Sequence, residues 1–246
     1  MSSWEQIDQK KKELDSLRPF PENTIRTLRE KLILEWTYNS NAIEGNTLTM
    51  RETQVVLEGV TVGGKSIREH LEAINHRDAI LYLEEIVQKQ EPLTEWEIKN
   101  IHALVLKNID PKNAGVYRNE NVVIAGAKHI PPDFTQVPTQ MQAMVRQYTQ
   151  DWTALHPVER SSLLHLEFVK IHPFVDGNGR TARLLQNFEL MKHGFPPIVI
   201  KKEHRLEYYD LLDLAHSNSE SRGFITFTAQ RVEEVLDLYL QLLKRN

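Results

Sequence analysis

The segment from His172 to Arg183, HPFVDGNGRTAR, places a histidine, an acid, two arginines and a glycine-rich turn within twelve residues. The imidazole of His172 can accept a proton near neutral pH without a large pKa shift. The carboxylate of Asp176 offers the oxygen donors that Mg²⁺ prefers when it is bridged to phosphates. We interpret the segment as a loop that binds a polyphosphate beside a general base.

The turn in this loop consists of Gly177, Asn178 and Gly179, and a helical pattern begins at the asparagine. The first N–H groups of a helix have no intrahelical partners and lie at the positive end of the helix dipole, so they form a site for an anion. Arg180 and Arg183 are three residues apart, so both side chains can reach one ligand. The structural alternative is an Asn-Gly turn between two core helices with incidental charges, but the coincidence of several parts favours a phosphate site.

A second group of polar residues ends an earlier helical pattern. Ser40 and Glu44 are four residues apart, and Gly45 follows directly. The spacing puts the serine and the glutamate on one helix face, and glycine tolerates the left-handed conformation that ends a helix. Taken alone, the simpler interpretation is a solvated glutamate before a glycine helix stop.

Composition and charge exclude several classes of function. The chain has 246 residues, a formal net charge of −4 and no cysteine. The charge argues against bulk electrostatic binding to nucleic acid, and the lack of cysteine excludes disulfides and thiol catalysis. The polar N-terminal sequence lacks the apolar core of a signal peptide, and no apolar run approaches the roughly 18 residues of a membrane-spanning helix. We therefore expect a cytoplasmic protein with neither a membrane nor a nucleic acid as its partner.

Apolar residues recur at intervals of three and four along most of the chain, which predicts helices. The predicted helices cover approximately residues 3–16, 23–42, 50–58, 66–88, 94–105, 138–151, 157–171, 178–192, 204–216 and 228–244. The fold class is therefore mainly α. We expect residues 1–60 to form an N-terminal helical arm packed on a core of residues 61–246, with the two forming one compact unit.

The segment 110–137 breaks the helical pattern. It contains several prolines and glycines around the β-branched run Val122, Val123 and Ile124. This run is too short for a helix and is bounded by turn residues, so it predicts a short β-hairpin or an irregular flap.

The loop at His172 resembles the signature of the Fic family, HxFx[D/E]GNGRxxR, at every defined position, and supporting resemblances extend from about residue 40 to 216. The family fold is a helical bundle with a small β-hairpin flap over the active site. Family members typically transfer AMP from ATP to a hydroxyl side chain of a target protein. The resemblance implies that His172 is the general base and that Asp176 holds Mg²⁺.

The same resemblance assigns the phosphate contacts. It implies an anion hole at the turn Gly177, Asn178 and Gly179, a phosphate contact for Arg180, and a pairing of Arg183 with the γ-phosphate. Family members that phosphorylate their targets tend to carry lysine where this chain has Gly179. The glycine therefore favours AMP transfer.

The motif of Ser40, Glu44 and Gly45 resembles the family's inhibitory motif, [S/T]xxxE[G/N]. In the family this glutamate pairs with the second arginine of the signature, which is Arg183 here. A carboxylate in the place of the γ-phosphate would leave ATP only a pose unsuited to in-line attack. The resemblance therefore implies an enzyme that its own N-terminal helix inhibits.

Two further regions resemble parts of the family. Arg205, Tyr208 and Tyr209 resemble the helix on the adenine side, and adjacent tyrosines cannot share one helix face, so we expect one of them to stack on the base. His216 replaces an asparagine found in some relatives, which leaves the nucleotide preference open. The flap run 122–124 would dock a target segment by adding a strand.

We therefore predict a protein adenylyltransferase that uses ATP and Mg²⁺, modifies a Ser, Thr or Tyr hydroxyl and is inhibited by Glu44. One alternative is the hydrolytic removal of AMP from a modified protein, with Glu44 orienting the attacking water. A less favoured alternative is a non-catalytic nucleotide-binding module. The resemblance makes a homodimer plausible, and we expect no DNA-binding winged helix after the last helix.

Overall fold

The computed structural model describes residues 3–244, and these residues form a helical bundle. The helices are α1 (Ser3–Ser16), α2 (Glu22–Ile43), α3 (Met50–Leu57), α4 (Ile67–Gln88), α5 (Glu95–Val105), α6 (Val137–Arg146), α7 (Pro157–Ile171), α8 (Asn178–Lys192), α9 (Arg205–Asn218) and α10 (Arg222–Leu243). The mainly α fold class is confirmed. Residues 1–2 and 245–246, which the predicted arm and core include, lie outside the described part.

The helices begin where side chains can satisfy their free N–H groups. Thr49 and Glu52 form a capping box at α3, and Ser66 and Glu69 form another at α4. In each box the hydroxyl accepts a hydrogen bond from the glutamate N–H, while the glutamate carboxylate accepts one from the cap residue. Gly45 follows α2 at φ +99°, as expected for a helix stop.

Two helix boundaries differ from the sequence pattern. α10 begins at Arg222, six residues before its predicted start, because Phe224 and Phe227 are buried and outweigh the low helix propensity of the residues around them. The predicted helix 138–151 is α only to Arg146 and continues as a π turn over Gln147–Asp151.

α8 lies at the centre of the bundle. It packs along α7 and also contacts α2, α4 and α5. α1 packs on α10, where a second apolar cluster joins the N-terminal and C-terminal helices. Because α8 is buried on several sides, its N-terminus and the preceding loop are held from several directions.

The predicted β-hairpin is wrong. The described residues contain no β-strand, and the segment 119–133 is an irregular flap between α5 and α6. One turn closes its tip, where Ala127 N–H donates to the Ile124 carbonyl at 3.2 Å. Pro131 and Pro132 lie where a return strand would run, and they have no N–H groups for a strand ladder. The β-branched residues at 122–124 therefore have no partner strand in the described part of the chain.

Within the described part of the chain, no helix combines the length and apolar composition needed to cross a lipid bilayer.

Candidate functional site

The loop between α7 and α8 holds His172 in an unusual backbone conformation. α7 ends at Ile171, and His172 takes the left-handed conformation at φ +50° while its N–H donates to the Phe168 carbonyl at 3.0 Å. Residues other than glycine rarely adopt this conformation, so the surrounding contacts must stabilise it. Pro173 follows and cannot continue the helix.

Asn178 braces the loop from inside. Its Nδ2 donates to the Phe174 carbonyl at 2.8 Å, and its Oδ1 accepts a hydrogen bond from the Phe174 N–H at 3.0 Å. Gly177 precedes α8 at φ +79°, and a Cβ at this position would lie 3.2 Å from Nε2 of His102. The turn is therefore compact, and it presents the N-terminus of α8 at the end of the loop.

Arg118 connects this loop to the flap. Its buried guanidinium donates to three backbone carbonyls: to His172 at 2.9 Å, to Glu120 at 3.0 Å and to Pro132 at 2.5 Å. The backbone N–H of Arg118 donates to the Pro173 carbonyl at 2.9 Å. The Arg118 side chain therefore holds both His172, which has the left-handed backbone, and the two ends of the flap.

His102 on α5 supports the other end of the loop. The Gly115 N–H donates to its Nδ1 at 2.9 Å, so Nε2 carries the proton and donates to the Asp176 carbonyl at 2.8 Å. The ring stacks on Phe174 with 3.5 Å between centroids and 2° between planes. Burial lowers the pKa of His102 to about 4, so the ring is neutral at physiological pH.

Asp176 lies in a ring of alternating charges. Its Oδ1 accepts hydrogen bonds from the Gly177 N–H at 2.6 Å and from Arg180 at 3.2 Å, and its Oδ2 accepts one from Arg68 at 2.6 Å. Glu72 closes the ring at 3.4 Å from Arg180. Burial opposes ionisation of Asp176, but the two guanidiniums and the amide hold the pKa of its carboxyl below the usual value.

Arg183 is buried and bound to the end of α2. Its Nη2 donates to Glu44 Oε1 at 2.8 Å and to the Ser40 carbonyl at 2.8 Å, while its Nε donates to Ser40 Oγ at 3.0 Å. Burial opposes its charge, but the Glu44 carboxylate raises the pKa of Arg183 above its usual value. The predicted spacing therefore brings Ser40 and Glu44 onto the same guanidinium.

A cavity of about 360 Å³ lies between the loop, the flap and α9. Glu44, His172 and Gly179 line it, together with Val169 of α7 and residues of the flap and α9. Burial lowers the pKa of His172 to about 4, and the Val169 backbone opposes this shift. The cavity therefore presents a neutral imidazole near a carboxylate.

The two tyrosines of α9 have different surroundings, as the sequence predicts. Tyr208 is buried, and its hydroxyl lies 2.9 Å from Nε2 of His165 and 3.4 Å from Nη1 of Arg183. Tyr209 is partly buried, and its hydroxyl donates to the Ile43 carbonyl at 3.2 Å. α9 therefore contacts both the buried arginine and the end of α2.

The flap lies against α9 and α7 at its tip. The Lys128 N–H donates to Asp213 Oδ1 at 3.2 Å, and His129 Nε2 lies 2.8 Å from the Lys170 carbonyl oxygen. The His129 ring packs beside His216 with 5.1 Å between centroids. These contacts close the flap over the cavity.

The structure brings many of the predicted site residues to one cavity but not all. The predicted residues that line it are Glu44, Val123, Ile124, His172, Gly179, Arg205, Tyr208, Tyr209 and His216. Asp176 and Arg180 belong to the charge ring at the loop instead, and Val122 does not line the cavity. Sequence reasoning assigned no role to Arg118, His102, Glu72 or Arg68, because no local motif marks them.

Comparison with known proteins relates this site to a family. A family model described as "Fic/DOC family" matches residues 92–190. The chain is similar to protein adenylyltransferase Fic of Nematostella vectensis, with 38% identity over 244 residues that cover 96% of this chain and 55% of the relative. The namesake in Drosophila melanogaster is 37% identical over 238 residues, which cover 96% and 48%. The chain thus spans about half the length of these curated relatives.

Solved structures agree with this similarity over nearly the whole chain. Fic-1 from C. elegans superposes with a TM-score of 0.90 and 32% identity, covering 99% of this chain and 72% of that chain. A Fic domain containing signaling protein from Bacteroides thetaiotaomicron superposes with a TM-score of 0.89 and 30% identity, covering 100% and 98%.

Proposed function

Because the chain belongs to the Fic/DOC family, we propose that it is a protein adenylyltransferase, which transfers AMP from ATP to a hydroxyl side chain of a target protein. The observation that carries this proposal is the cavity at the α7–α8 loop, where a neutral His172 faces the same space as Gly179 and the N-terminus of α8.

In this proposal His172 acts as the general base. A neutral imidazole takes the proton from the Ser, Thr or Tyr hydroxyl as the hydroxyl oxygen bonds to the α-phosphorus of ATP. The bond from that phosphorus to the bridging oxygen breaks, and diphosphate leaves. Arg118 and the α7 end position the base by holding its backbone.

The phosphates would bind at the start of α8. The turn Gly177–Gly179 brings the ligand close to backbone N–H groups, and Arg180 and Arg183 supply positive charge from one helix. Arg180 is 2% exposed and Arg183 is 3% exposed, so both charges act from a site with little water.

The residues at Asp176 fit a magnesium ion. The carboxylate is ionised, its side chain is 42% exposed, and its Oδ2 already faces a cationic group, the guanidinium of Arg68. Mg²⁺ takes oxygen ligands and usually needs one or two carboxylates together with substrate phosphates. Asp176 would hold the ion, which when bound neutralises charge on the phosphates.

We infer that Glu44 inhibits the enzyme. Its carboxylate binds Arg183, which the γ-phosphate would otherwise engage, and Ser40 fixes the same guanidinium from α2. Gly45 ends α2 directly after this contact, so it keeps the glutamate at the helix end. In this proposal residues 1–60 form the arm that restrains the core.

We infer that the nucleotide base enters the cavity beside α9. Tyr209 is partly buried there, whereas Tyr208 packs in the core and supports Arg183. His216 lines the same cavity and is half-buried, so it would contact the base in place of the asparagine of some relatives. A target segment would dock on the exposed flap, where Val123 is 86% exposed.

Location and assembly stay predictions from the sequence. We propose a cytoplasmic protein that can form a homodimer.

The decisive experiment incubates the purified protein with ATP labelled at the α-phosphate. Glu44→Gly should transfer label to itself or to lysate proteins far faster than the parent chain, and adding His172→Ala should abolish the transfer. Glu58→Gly is a matched control, because Glu58 also caps a helix end before a glycine of positive φ, Gly59, but at the end of α3. A folded Glu44→Gly variant that binds ATP and transfers no label would contradict the proposal.

The reverse reaction is a second candidate because Glu44 and His172 line the same cavity. Glu44 could orient a water molecule for attack on the phosphorus of an AMP-modified side chain. A protein modified by the Glu44→Gly variant provides the substrate for this test. Removal of AMP by the parent chain and by Glu58→Gly, but not by Glu44→Gly, would support the reverse reaction. Equal removal by all three would exclude this role of Glu44.

A further inference from the structure

Arg68, in the first turn of α4, reaches across to the catalytic loop. Its Nη2 donates to Asp176 Oδ2 at 2.6 Å, and its Nε donates to Glu72 Oε1 at 3.1 Å. The Arg68 side chain is 57% exposed, whereas Glu72 is 13% exposed. The guanidinium therefore lies at the outer edge of the charge ring, where solvent can reach it.

The two oxygens of Asp176 are held differently. Oδ1 is engaged from inside by the Gly177 N–H and by Arg180, which is itself buried. For Oδ2, the described part of the chain provides Arg68 as the hydrogen-bond donor. Oδ2 is consequently the oxygen that is free to change partner.

We propose that Arg68 is a built-in competitor for the divalent cation at Asp176 and so sets the cation concentration at which the site fills. This inference rests on the proposed function, in which Asp176 holds the metal. The guanidinium and the cation approach the same oxygen and carry charge of the same sign, so each disfavours the binding of the other there. When the cation binds, Arg68 releases Oδ2 and stays on Glu72.

Arg68 is suited to this exchange, and Arg180 is not. An exposed ion pair in water is weak, so the contact of Arg68 with Asp176 is easily broken. Arg180 lies at the buried N-terminus of α8 between Asp176 and Glu72, and its displacement would leave a buried charge without a partner. The exposed arginine can therefore adjust cation affinity while the buried arginine remains available for phosphate.

Binding of Mn²⁺, followed by the electron paramagnetic resonance signal of the free ion, tests the inference without relying on turnover. The measurement uses the full chain carrying Glu44→Gly and a saturating ATP analogue that cannot be cleaved between its α- and β-phosphates. Arg68→Gln keeps the length of the side chain and removes its charge. We expect it to tighten Mn²⁺ binding roughly threefold to tenfold.

Arg26→Gln is the matched control, because Arg26 is an equally exposed helical arginine that pairs with Glu30 on α2, away from the loop. It should leave Mn²⁺ affinity unchanged. Unchanged or weaker binding in Arg68→Gln overturns the inference, since mere structural damage cannot tighten binding. Asp176→Asn separates the two proposals. If it binds Mn²⁺ as tightly as the parent, the metal site itself is wrong; if it loses binding while Arg68→Gln has no effect, only the role of Arg68 is wrong.

Discussion

The carboxylate of Glu44 occupies the space in which any side chain at Gly179 would begin. A Cβ at position 179 would overlap Glu44 Oε1 and would lie 3.2 Å from Nη1 of Arg183. Oε1 is also the atom that accepts the 2.8 Å hydrogen bond from Arg183. The contact between Glu44 and Arg183 therefore depends on glycine at position 179.

Gly179→Ala should consequently uncouple Glu44 from Arg183. In the parent chain we expect Glu44→Gln to lower the free energy of unfolding by about 1–2 kcal/mol, because it weakens a charge-assisted bond to a buried guanidinium. In the Gly179→Ala background the same change should cost much less. Urea unfolding of the four proteins gives the coupling energy as a double-mutant cycle.

Thr49→Ala supplies the control for this cycle. It removes the N-cap of α3 and should cost about 1 kcal/mol in both backgrounds, since Thr49 does not contact the loop. Equal costs of Glu44→Gln with and without the new methyl group would show that the overlap is relieved without moving the carboxylate.

Replacement of Arg118 should loosen both the loop and the flap. Arg118→Met keeps much of the apolar stem but leaves the carbonyls of His172, Glu120 and Pro132 without their donor, so we expect a loss of about 3 kcal/mol in unfolding free energy. Hydrogen exchange of the flap amides should also become faster. Arg51→Met, at an exposed position of α3, should change neither measurement. A stable variant with an unchanged flap would contradict the bracing role.

The loop between α7 and α8 could be predicted because its residues are contiguous. His172, Asp176, Arg180 and Arg183 lie on a helix end, a turn and the next helix start, and local sequence signals mark all three. The pairing of Glu44 with Arg183 joins residues 139 positions apart, and only the family resemblance indicated it.

The supporting residues could not be predicted, because their roles depend on packing between distant helices. Arg118 meets His172 across 54 positions, and His102 meets Asp176 across 74. Neither pair has a local spacing rule, and His102 occurs within an apolar helical pattern that indicates only burial. The hairpin prediction failed for a related reason: β-branched residues favour strands only when a partner strand is available.

Acid should destabilise the fold over a defined pH range. Burial lowers the pKa to about 4 in His102, His172 and His216, and holds it well below the usual value in His76 and His165. The unfolded chain binds more protons than the folded chain between about pH 6.5 and pH 4, so stability is full above this range and falls as the pH decreases through it. For one deeply buried ring such as His102 the loss reaches about 3 kcal/mol.

Urea unfolding at several pH values between about 7.5 and 4.5 measures this dependence. His102→Gln should be less stable than the parent at neutral pH, because it loses the stacking on Phe174, but its stability should fall less steeply with acid. A parallel pH profile in the two proteins would show that His102 does not titrate in this range.

AMP transfer by Glu44→Gly should fall in acid through a different route. His172 accepts the proton in the proposed reaction, so its protonation removes the base and the rate should decrease in acid. The pKa of His172 is about 4 in the parent chain, and loss of the nearby Glu44 carboxylate, which raises that pKa, should move the decrease to lower pH. Rates normalised to the folded fraction at each pH separate this effect from unfolding. A normalised rate that already falls near about pH 6.5, the range of an exposed imidazole, would contradict the buried and neutral state of the proposed base.

Alanine substitutions at three glycines separate two costs at Gly177: backbone strain and contact with His102. Gly63 has no positive φ, and no heavy atom lies within 4 Å of the place that a Cβ would take, so Gly63→Ala should change stability by less than about 0.5 kcal/mol. Gly59 has a φ of +87° in open space, and Gly59→Ala should cost about 1–2 kcal/mol from backbone strain alone. Gly177 combines a φ of +79° with a Cβ position 3.2 Å from His102 Nε2, so Gly177→Ala should cost about 3 kcal/mol.

The same series separates stability from function. His102 donates to the Asp176 carbonyl, so a methyl group at Gly177 that displaces His102 should also displace Asp176. Mn²⁺ binding in the Glu44→Gly background should then weaken. Gly59→Ala lies outside the loop and should leave Mn²⁺ binding intact despite its loss of stability. Equal costs for Gly59→Ala and Gly177→Ala would mean that His102 yields to the methyl group without strain. His102 would then be held less rigidly than its stacking on Phe174 and its two hydrogen bonds indicate.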